Sequence, residues 1–395
     1  MKRFLIIFFI TFSLFTLFYS SNAFSYTGEA GPPMLKFIYG SRALSLGGAY
    51  VAAADDAYYM DSNPAGGDTR KVFRTSLIHQ EWIGDTNYEA LRLSTGIRDQ
   101  FFIGLGLTYF YLPFEYYDIT GTTDGTSYHL SQSMAMVNFG YKLRKYDIAF
   151  GVNAKVLYNH VPDELYADQS YLLFAGDAGF IARTNILKTF IGPEPSMTFG
   201  LALRNFGYSE AMEKLPTEIH AGMTYRVIRH LMLSGEYALP FYEPMYGSVG
   251  VEFDIAKTFF IQAGVEIKEN PMVGLGLGYR RKDLNINVSY TPSMVFRNMM
   301  NVSVEFRFGD SAAEEREKQI DKLMLDALID YNTGNYESAL EVIEKVLELD
   351  PRNLRAKQLK RTVEKEIELE ESAEKVNGKK DNKRIASSEQ GFESY

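Results

Sequence analysis

From residue 72 to residue 308 the apolar side chains of this chain recur at every second position. In 101-FFIGLGLTYFY-111, Phe101, Ile103, Leu105, Leu107, Tyr109 and Tyr111 share one face. Gly104, Gly106 and Thr108 share the other, with Phe102 and Phe110 at its ends. In 301-NVSVEFRF-308, Val302, Val304, Phe306 and Phe308 oppose Asn301, Ser303, Glu305 and Arg307, and 284-LNINVSY-290 behaves alike. An apolar face opposite a glycine or polar face marks a half-buried strand. A soluble sandwich alternates too, so the connections have to separate the two readings.

Fourteen candidate strands lie near 72–82, 88–98, 100–111, 126–142, 145–159, 169–184, 195–207, 216–227, 229–239, 244–255, 257–268, 271–281, 283–292 and 298–309. Tight joints at 98–100, 144–145, 228–229, 255–257 and 281–283 take turns with looser segments at 112–127, 159–169, 206–218 and 240–245. Short turns on one side, long loops on the other and an even strand number specify an all-β transmembrane β-barrel of about 14 antiparallel strands. One joint departs: 184–196 is long where a short turn is expected, through an insertion or a miscounted hairpin. Strands of this length cross the hydrocarbon layer at a tilt, for which roughly 9–11 residues suffice. The 27 Tyr and 28 Phe supply interfacial girdles.

The N-terminus, MKRFLIIFFITFSLFTLFYSSNA, has a basic start, an apolar core and a small-x-small site, so residues 1–23 read as a signal peptide, with a signal anchor as the alternative. No later segment is apolar enough for a membrane helix, so strands must do any spanning. With no cysteine, disulfides, thiolate metal sites and a lipoprotein anchor are not expected. A net charge of −9 and no basic cluster argue against nucleic acid.

After Phe308 the period becomes helical. Within 327-ALIDYNTGNYESALEVIEKVLELDPRNLRAKQL-359, Tyr331, Gly334, Tyr336, Ala339, Ile343, Val346, Leu347, Leu349, Asp350 and Pro351 resemble one tetratricopeptide repeat. Gly334 permits the turn, Ala339 lets two helices approach closely, and Asp350-Pro351 ends the second helix before a third begins near Leu354. Residues 312–372 are expected to be a helical TPR-like segment, and 373–395, which are polar, a disordered tail. Stacked repeats usually need about three copies, so this segment is expected to lean on a neighbour. An even strand number puts both barrel ends on one side, which in exported barrels is the periplasm.

Residues 24–71 do not alternate. They run through Gly40, Gly47, Gly48, Ala49 and Ala52–Ala54 to Asp55-Asp56 and then Asn63-Pro64-Ala65-Gly66. A fourteen-stranded barrel is too wide for its own side chains to fill, and a segment rich in small residues packs closely and bends. Asn63 is placed to bond backbone groups at a kink set by Pro64. Asp55 and Asp56 are expected to pair with lumenal cations, with Arg42, Arg92, Arg204 and Arg307 as candidates.

The run Gly-x-Arg-Ala-x-x-x-Gly-Gly-Ala-Tyr-x-Ala-x-x-Asp-Asp, followed by Asn-Pro-Ala-Gly, resembles the start of PorV/PorQ-type outer-membrane proteins, of the FadL-like superfamily. The resemblance implies a lumenal hatch over 24–71 and a role with long-chain fatty acids or similar apolar molecules. One departure is Gly67, where such proteins usually carry Leu. The expected hatch and gating residues are Gly47, Gly48, Asp55, Asp56, Asn63, Pro64, Ala65 and Gly66. Phe114, Tyr116, Tyr117, Phe241 and Tyr242 of the outer loops are expected to capture ligand.

Other chemistry has weak support. The five histidines are scattered without metal spacing, and no cofactor is expected. His220 beside Glu218 suggests a hydrolase site, but no serine-centred motif accompanies it. The glycines of 274-GLGLG-278 lie on one strand face and are not followed by a phosphate-loop Lys-Ser/Thr. Trp82 suits an interface anchor. The expectation is a non-enzymatic outer-membrane barrel for passive uptake of hydrophobic molecules, in contact with lipid. The alternative is a PorV-like component of a secretion or assembly machine, whose segment 312–372 binds a periplasmic protein.

Overall fold

The computed structural model describes residues 31–369, apart from 82–85, 99, 118–119, 164–168, 191, 193, 211–213, 257, 293–297, 310–311 and 352. The expected leader, Trp82 and the tail 373–395 lie outside the described residues. The chain forms two compact units, which divide between Gly309 and Asp310.

The first unit is a closed antiparallel barrel of fourteen strands in sequence order. Its first half is β1 Phe73–Glu81, β2 Asn87–Ile97, β3 Phe101–Tyr117, β4 Thr123–Leu143, β5 Ile148–His160, β6 Tyr171–Thr184 and β7 Met197–Ser209. The second is β8 Glu218–Ile228, β9 Leu231–Pro240, β10 Tyr246–Asp254, β11 Phe259–Ile267, β12 Met272–Arg280, β13 Leu284–Thr291 and β14 Met299–Phe308. Closure is made by β1 against β14, with Leu77 opposite Val304 and Ser76 opposite Glu305. The ring of pairings closes with every strand bonded to two neighbours, as hydrocarbon requires of a spanning sheet.

Each strand's alternation sorts the two sides of the wall. Along β5, Phe150, Val152, Val156 and Tyr158 face outward and are exposed, while Ala149, Gly151, Asn153, Lys155 and Leu157 are buried inside. Leu105, Leu107, Val137, Phe139, Leu201, Leu275 and Leu277 extend the same apolar outer surface around the barrel. An exterior apolar on this scale belongs in lipid and not in water. The long joint 185–196 contains no further strand among its described residues. It is a loop in which Lys188 Nζ donates to Asn185 Oδ1 (3.1 Å) and to the carbonyls of Gly192 and Glu194 (both 2.7 Å).

One expected loop is strand. β3 runs on to Tyr117 and pairs with β4 through Leu112–Leu130, Pro113–His129, Phe114–Tyr128 and Glu115–Ser127. Its other neighbour, β2, stops opposite Tyr111, and β5 stops opposite Ser131. The hairpin therefore projects alone, and Pro113 lies where its strand is paired on one side only, an edge position in which a sheet tolerates proline.

Residues 31–72 lie within the barrel: a 3-10 turn at Pro33–Lys36, helix α1 at Ser41–Ser45, helix α2 at Tyr59–Ser62, and extended or turn backbone between. Helix α1 ends on Gly47 and Gly48, whose N–H groups donate to Leu44 O (3.0 Å) and Ala43 O (2.9 Å), with φ of 63° and 83°. That is the Schellman closure, which favours glycine. The segment's backbone lies directly on the wall where the wall has no side chain. A Cβ on Gly264 would overlap Leu46 and Gly47, one on Gly151 would overlap Pro64, and one on Gly179 would overlap Asn63. At Gly67, the position that departs from the PorV/PorQ pattern, a Cβ would strike the ring of fully buried Phe102.

The second unit is helical, with α3 at Ala312–Asn332, α4 at Tyr336–Leu349 and α5 over 354–369. The α3–α4 turn has Schellman bonds from Gly334 N–H to Tyr331 O (3.2 Å) and from Asn335 N–H to Asp330 O (2.9 Å), with Gly334 at φ 81°. Ala327, Ala339, Ile343, Val346, Ala356 and Val363 form its core. Tyr331 and Tyr336 pack at 5.8 Å, and Asp350 caps the end of α4 just before Pro351. Asn353 Oδ1 accepts from Ala356 N–H (3.1 Å), an N-cap for α5. No described helix is long and apolar enough to cross a membrane.

The wall contact at Gly179 yields a test. Gly179→Val places two methyl groups where Asn63 and Pro64 sit, and overpacking of this kind costs about 1–3 kcal/mol. The expected outcome is faster proteolysis within residues 31–71 while the barrel keeps its heat-modifiable migration in SDS gels. Unchanged cleavage would refute the contact.

Candidate functional site

The candidate site is the lumen and the segment inside it, which are joined by different chemistry in the two halves. Toward the short-turn end and the middle, the attachments are polar. Asp61 of α2 accepts from Arg92 of β2 through both carboxylate oxygens, at 2.8 Å from Nε and 2.6 Å from Nη2. Arg92 is fully buried and also donates to Leu107 O (2.8 Å) and Thr108 Oγ1 (3.0 Å). A bidentate, fully desolvated pair of this type fixes orientation strongly.

Arg42 of α1 is held similarly. Its Nε donates to Glu252 of β10 at 2.7 Å, and Nη1 pairs with Asp55 and reaches Ala53 O at 3.3 Å. Asp56 stands 3.8 Å from Arg42. Burial pushes the Asp56 carboxyl up to about 6, against the pull of Arg42. Asp56 Oδ1 also accepts from Tyr58 N–H at 2.9 Å.

Asparagine, glutamate and histidine side chains of the wall complete the seat. Asn138, Asn153 and Asn205 donate to the carbonyls of Pro64 (3.1 Å), Met60 (2.7 Å) and Leu35 (3.0 Å). Glu236 of β9 takes the N–H groups of Tyr50 (2.7 Å) and Val51 (2.6 Å) on one oxygen. Its other oxygen bonds His220 Nδ1 at 2.6 Å, while His220 Nε2 meets Glu218 at 2.6 Å. His220 is thus a bridge between two carboxylates, which accounts for its place beside Glu218 without a serine.

Nearer the long loops, the side of the lumen formed by β1–β6 is apolar. Met34, Leu35 and Tyr39 of the inner segment are buried against Ile78, Tyr88, Phe110, Met134, Leu157, Leu173 and Leu215 of the barrel and its loops, with Phe37 and Leu112 packed alongside. Tyr39 and Tyr88 lie 4.9 Å apart, and Phe37 and Phe110 5.5 Å apart. Beyond this cluster a cavity of about 390 Å³ opens among Lys36, Ile38, Glu243, Tyr246, Glu266 and Lys268.

The residues singled out from the sequence fall in three places. Gly47, Gly48, Asp55, Asp56, Asn63, Pro64, Ala65 and Gly66 all lie on the inner segment, on the polar half. Asn63 Nδ2 donates to Val51 O (2.9 Å) and Phe180 O (3.1 Å), and its Oδ1 accepts from Ala65 N–H (3.1 Å). Of the four arginines proposed as partners, Arg42 meets Asp55 and Asp56, whereas Arg92 meets Asp61, Arg204 meets Glu218 (3.2 Å) and Arg307 meets Glu305 (2.8 Å).

Phe114 and Tyr117 stand on the projecting β3–β4 hairpin, with Phe114 6.1 Å from Tyr128, and the side chain of Tyr116 is not described. Phe241 and Tyr242 follow β9 at the same end, with Phe241 exposed and Lys214 Nζ 5.1 Å from the Tyr242 ring centre. The capture residues therefore stand apart from the inner-segment set. Sequence reasoning missed the wall's asparagines and Glu236. Each read only as one more polar residue on an inward face, and the one available signal was that an inward Asn or Glu in a strand needs a partner. Among the described residues no group of three or more His, Asp or Glu could hold a metal ion.

A closed fourteen-stranded barrel whose lumen holds its own N-terminal segment is the class that these features define. The chain belongs to the uncharacterised protein family UPF0164, which it matches over residues 33–307, taking in the inner segment and the barrel. A UPF0164 protein of Treponema pallidum (strain Nichols) is 24% identical over 338 residues, covering 79% of this chain and 78% of that protein. Among solved structures, the P. putida toluene transporter TodX aligns with a TM-score of 0.50 at 12% identity, over 69% of this chain and 99% of TodX. A Pseudomonas aeruginosa FadL homologue aligns at 0.44 and 11% identity, over 71% and 99%. These are likenesses of fold. Residues 320–371 match the Fis1 C-terminal tetratricopeptide repeat. The family shown is UPF0164, and the PorV/PorQ likeness rests on the N-terminal motif alone.

The Asp61–Arg92 pair sets a stability test. Asp61→Ala leaves a buried guanidinium uncompensated, which costs about 3–5 kcal/mol. The expected result is a lower melting temperature for the barrel in detergent, partly restored by adding Arg92→Met. An unshifted melting temperature in the single variant would contradict the pairing.

Proposed function

We propose that this protein is an outer-membrane barrel for passive uptake of small hydrophobic molecules such as long-chain fatty acids, with residues 31–71 serving as its hatch. The observation that carries the reading is the apolar cluster on the β1–β6 side of the lumen, where Met34, Leu35, Phe37 and Tyr39 occupy the space that an apolar ligand would take. A water-filled porin lines its channel with polar groups. A ligand entering from the long-loop side would replace these four side chains by contacts of the same kind, leaving the polar attachments of residues 42–66 in place.

A recess of about 760 Å³ on the lipid side is lined in part by Ile78, Ala90 and Met134, which also belong to the inner cluster. It offers an apolar molecule a second surface separated from the first by one layer of side chains. On this reading the short-turn end, with the outer ends of β1 and β14, faces the periplasm.

The test is reconstitution in liposomes with saturable uptake of a long-chain fatty acid. Gln132→Ala and Asn205→Ala remove the wall bonds to Met34 N–H and Leu35 O, each worth about 1 kcal/mol net. A loosening of about 1.4 kcal/mol shifts an equilibrium tenfold, so uptake by the double variant should exceed that of wild type by up to about that factor. Saturable uptake identical in the two proteins would remove the hatch from the mechanism.

The helical unit favours a second reading, a secretion or assembly component that binds a periplasmic protein through residues 312–372. Leu325, Leu328 and Ile329 are exposed on α3 at helical spacing, a stripe that a partner helix fits. Cross-linking in intact cells should trap a specific protein with the full chain and lose it with Leu325→Glu/Ile329→Glu. If cells making that variant form the same cross-linked product, the unit is not the docking element.

A further inference from the structure

At the short-turn end of the barrel, a cavity of about 430 Å³ lies between the inner segment and the wall. Seven of its lining side chains are cationic and three are carboxylates, Asp55, Asp56 and Asp68. The cations come from separate elements that converge only on folding: Arg42 from α1, Arg70 and Arg74 from the end of the inner segment and the start of β1, and the rest from the ends of β4, β6, β12 and β14. Most carboxylates around the cavity serve two cations at once. Asp68 pairs with both Arg70 (2.7 Å) and Arg74. Glu252 lies between Arg42 (2.7 Å) and Arg280 (3.5 Å), and Glu305 between Arg307 (2.8 Å) and Arg74 (3.9 Å). Asp147 lies between Lys142 (2.8 Å) and Arg183 (3.8 Å).

Two features distinguish this from a self-satisfied ion network. Arg74 is almost fully buried, yet its Nε has no hydrogen-bond partner among the described residues, with Glu305 at 3.9 Å. The ion pairs of Arg183 with Asp147 and of Arg280 with Glu252 are long, at 3.8 and 3.5 Å, and both guanidinium groups are part-exposed at the cavity. A guanidinium has five N–H donors and no acceptor, so what this cavity can accommodate is an acceptor with several oxygens. We propose that it is an oxyanion site, built to take a carboxylate or phosphate group in the cavity that Arg183 and Arg280 line. The chemistry is shared by two sources: the head group of an amphipathic apolar molecule, and a free inorganic oxyanion. The inference goes beyond the uptake reading, since it concerns a charged site in the other half of the lumen.

The experiment uses the full-length protein in a nonionic detergent and equilibrium dialysis with dodecanoate, dodecanol and inorganic phosphate. Wild type is compared with Arg183→Gln/Arg280→Gln and with Asp147→Asn. Affinity for an anion should fall about tenfold in the double glutamine variant and should weaken with added salt, as a charge-assisted contact does. Asp147→Asn, which releases Lys142 and Arg183 from their shared carboxylate, should raise it. Loss of dodecanoate binding alone identifies the head group of an amphiphile as the source, and loss of phosphate binding alone identifies a free oxyanion.

Dodecanol reports on the apolar lumen only, so its failure to bind wild type would count against uptake and leave the oxyanion site standing. The proposal is overturned if neither anion changes affinity in either variant while the barrel remains heat-modifiable. It is also overturned if dodecanol loses as much affinity as dodecanoate. Should the double variant not fold, an unchanged anion affinity in Asp147→Asn overturns it by itself.

Discussion

A closed sheet of fourteen strands leaves a lumen that inward side chains do not fill, and most of the structure follows from how that space is occupied. The inner segment has little regular secondary structure, so its backbone N–H and C=O groups need partners from the wall. Side-chain amides and carboxylates of the strands supply many of them: Asn138, Asn153, Asn205 and Glu236 each bond main-chain atoms of residues 35–64. For those bonds to form, the backbone must come within hydrogen-bonding distance of the sheet, and that is possible where the strand residue is glycine. The glycine face of the barrel and the small-residue composition of the segment are two halves of one fit.

The buried charges add register to this fit. Asp61–Arg92, Arg42–Glu252 and Asp68–Arg74 join three points of the segment to β2, β10 and β1. A buried ion pair yields little net stability over an apolar pair of the same shape, but a misplaced partner is strongly penalised. Three pairs spread round the wall therefore discriminate against a segment that has slipped along its path or turned over, much more than they deepen the native minimum.

These relations explain what could be read in the sequence. Strand alternation and tight turns are local, so the fourteen strands were legible from neighbouring residues alone, and so was the helical hairpin, whose Gly334 turn and Ala339 contact lie within a few residues of their partners. The projecting hairpin was missed because Pro113 and the glycines of 112–127 read as loop. Only the early ends of β2 and β5, which no local pattern announces, make a proline tolerable there. The attachments of the inner segment were the least legible. That Asp61, and not Asp55, meets Arg92 depends on how a non-alternating segment winds across several strands. The identity of Gly67 depends on where the ring of Phe102 lands, some 35 residues further on.

On the uptake reading, the division of the lumen constrains how a hatch moves. If charged and amide bonds had to break before a ligand moved, each unpaired buried group would cost on the order of 1–3 kcal/mol, and the sum over residues 42–66 would hold the segment shut. The apolar cluster imposes a smaller barrier, since few polar contacts hold it. Met34, Leu35, Phe37 and Tyr39 make contacts that an alkyl chain reproduces, and Met34 and Leu35 are tied to the wall by bonds of Met34 N–H to Gln132 Oε1 (3.2 Å) and of Asn205 to Leu35 O (3.0 Å). Exchange of residues 34–39 for a ligand is therefore the low-cost motion. The segment from Gly40 onward, sealed to the wall by its glycine contacts and ion pairs, serves as the fixed floor against which that exchange takes place.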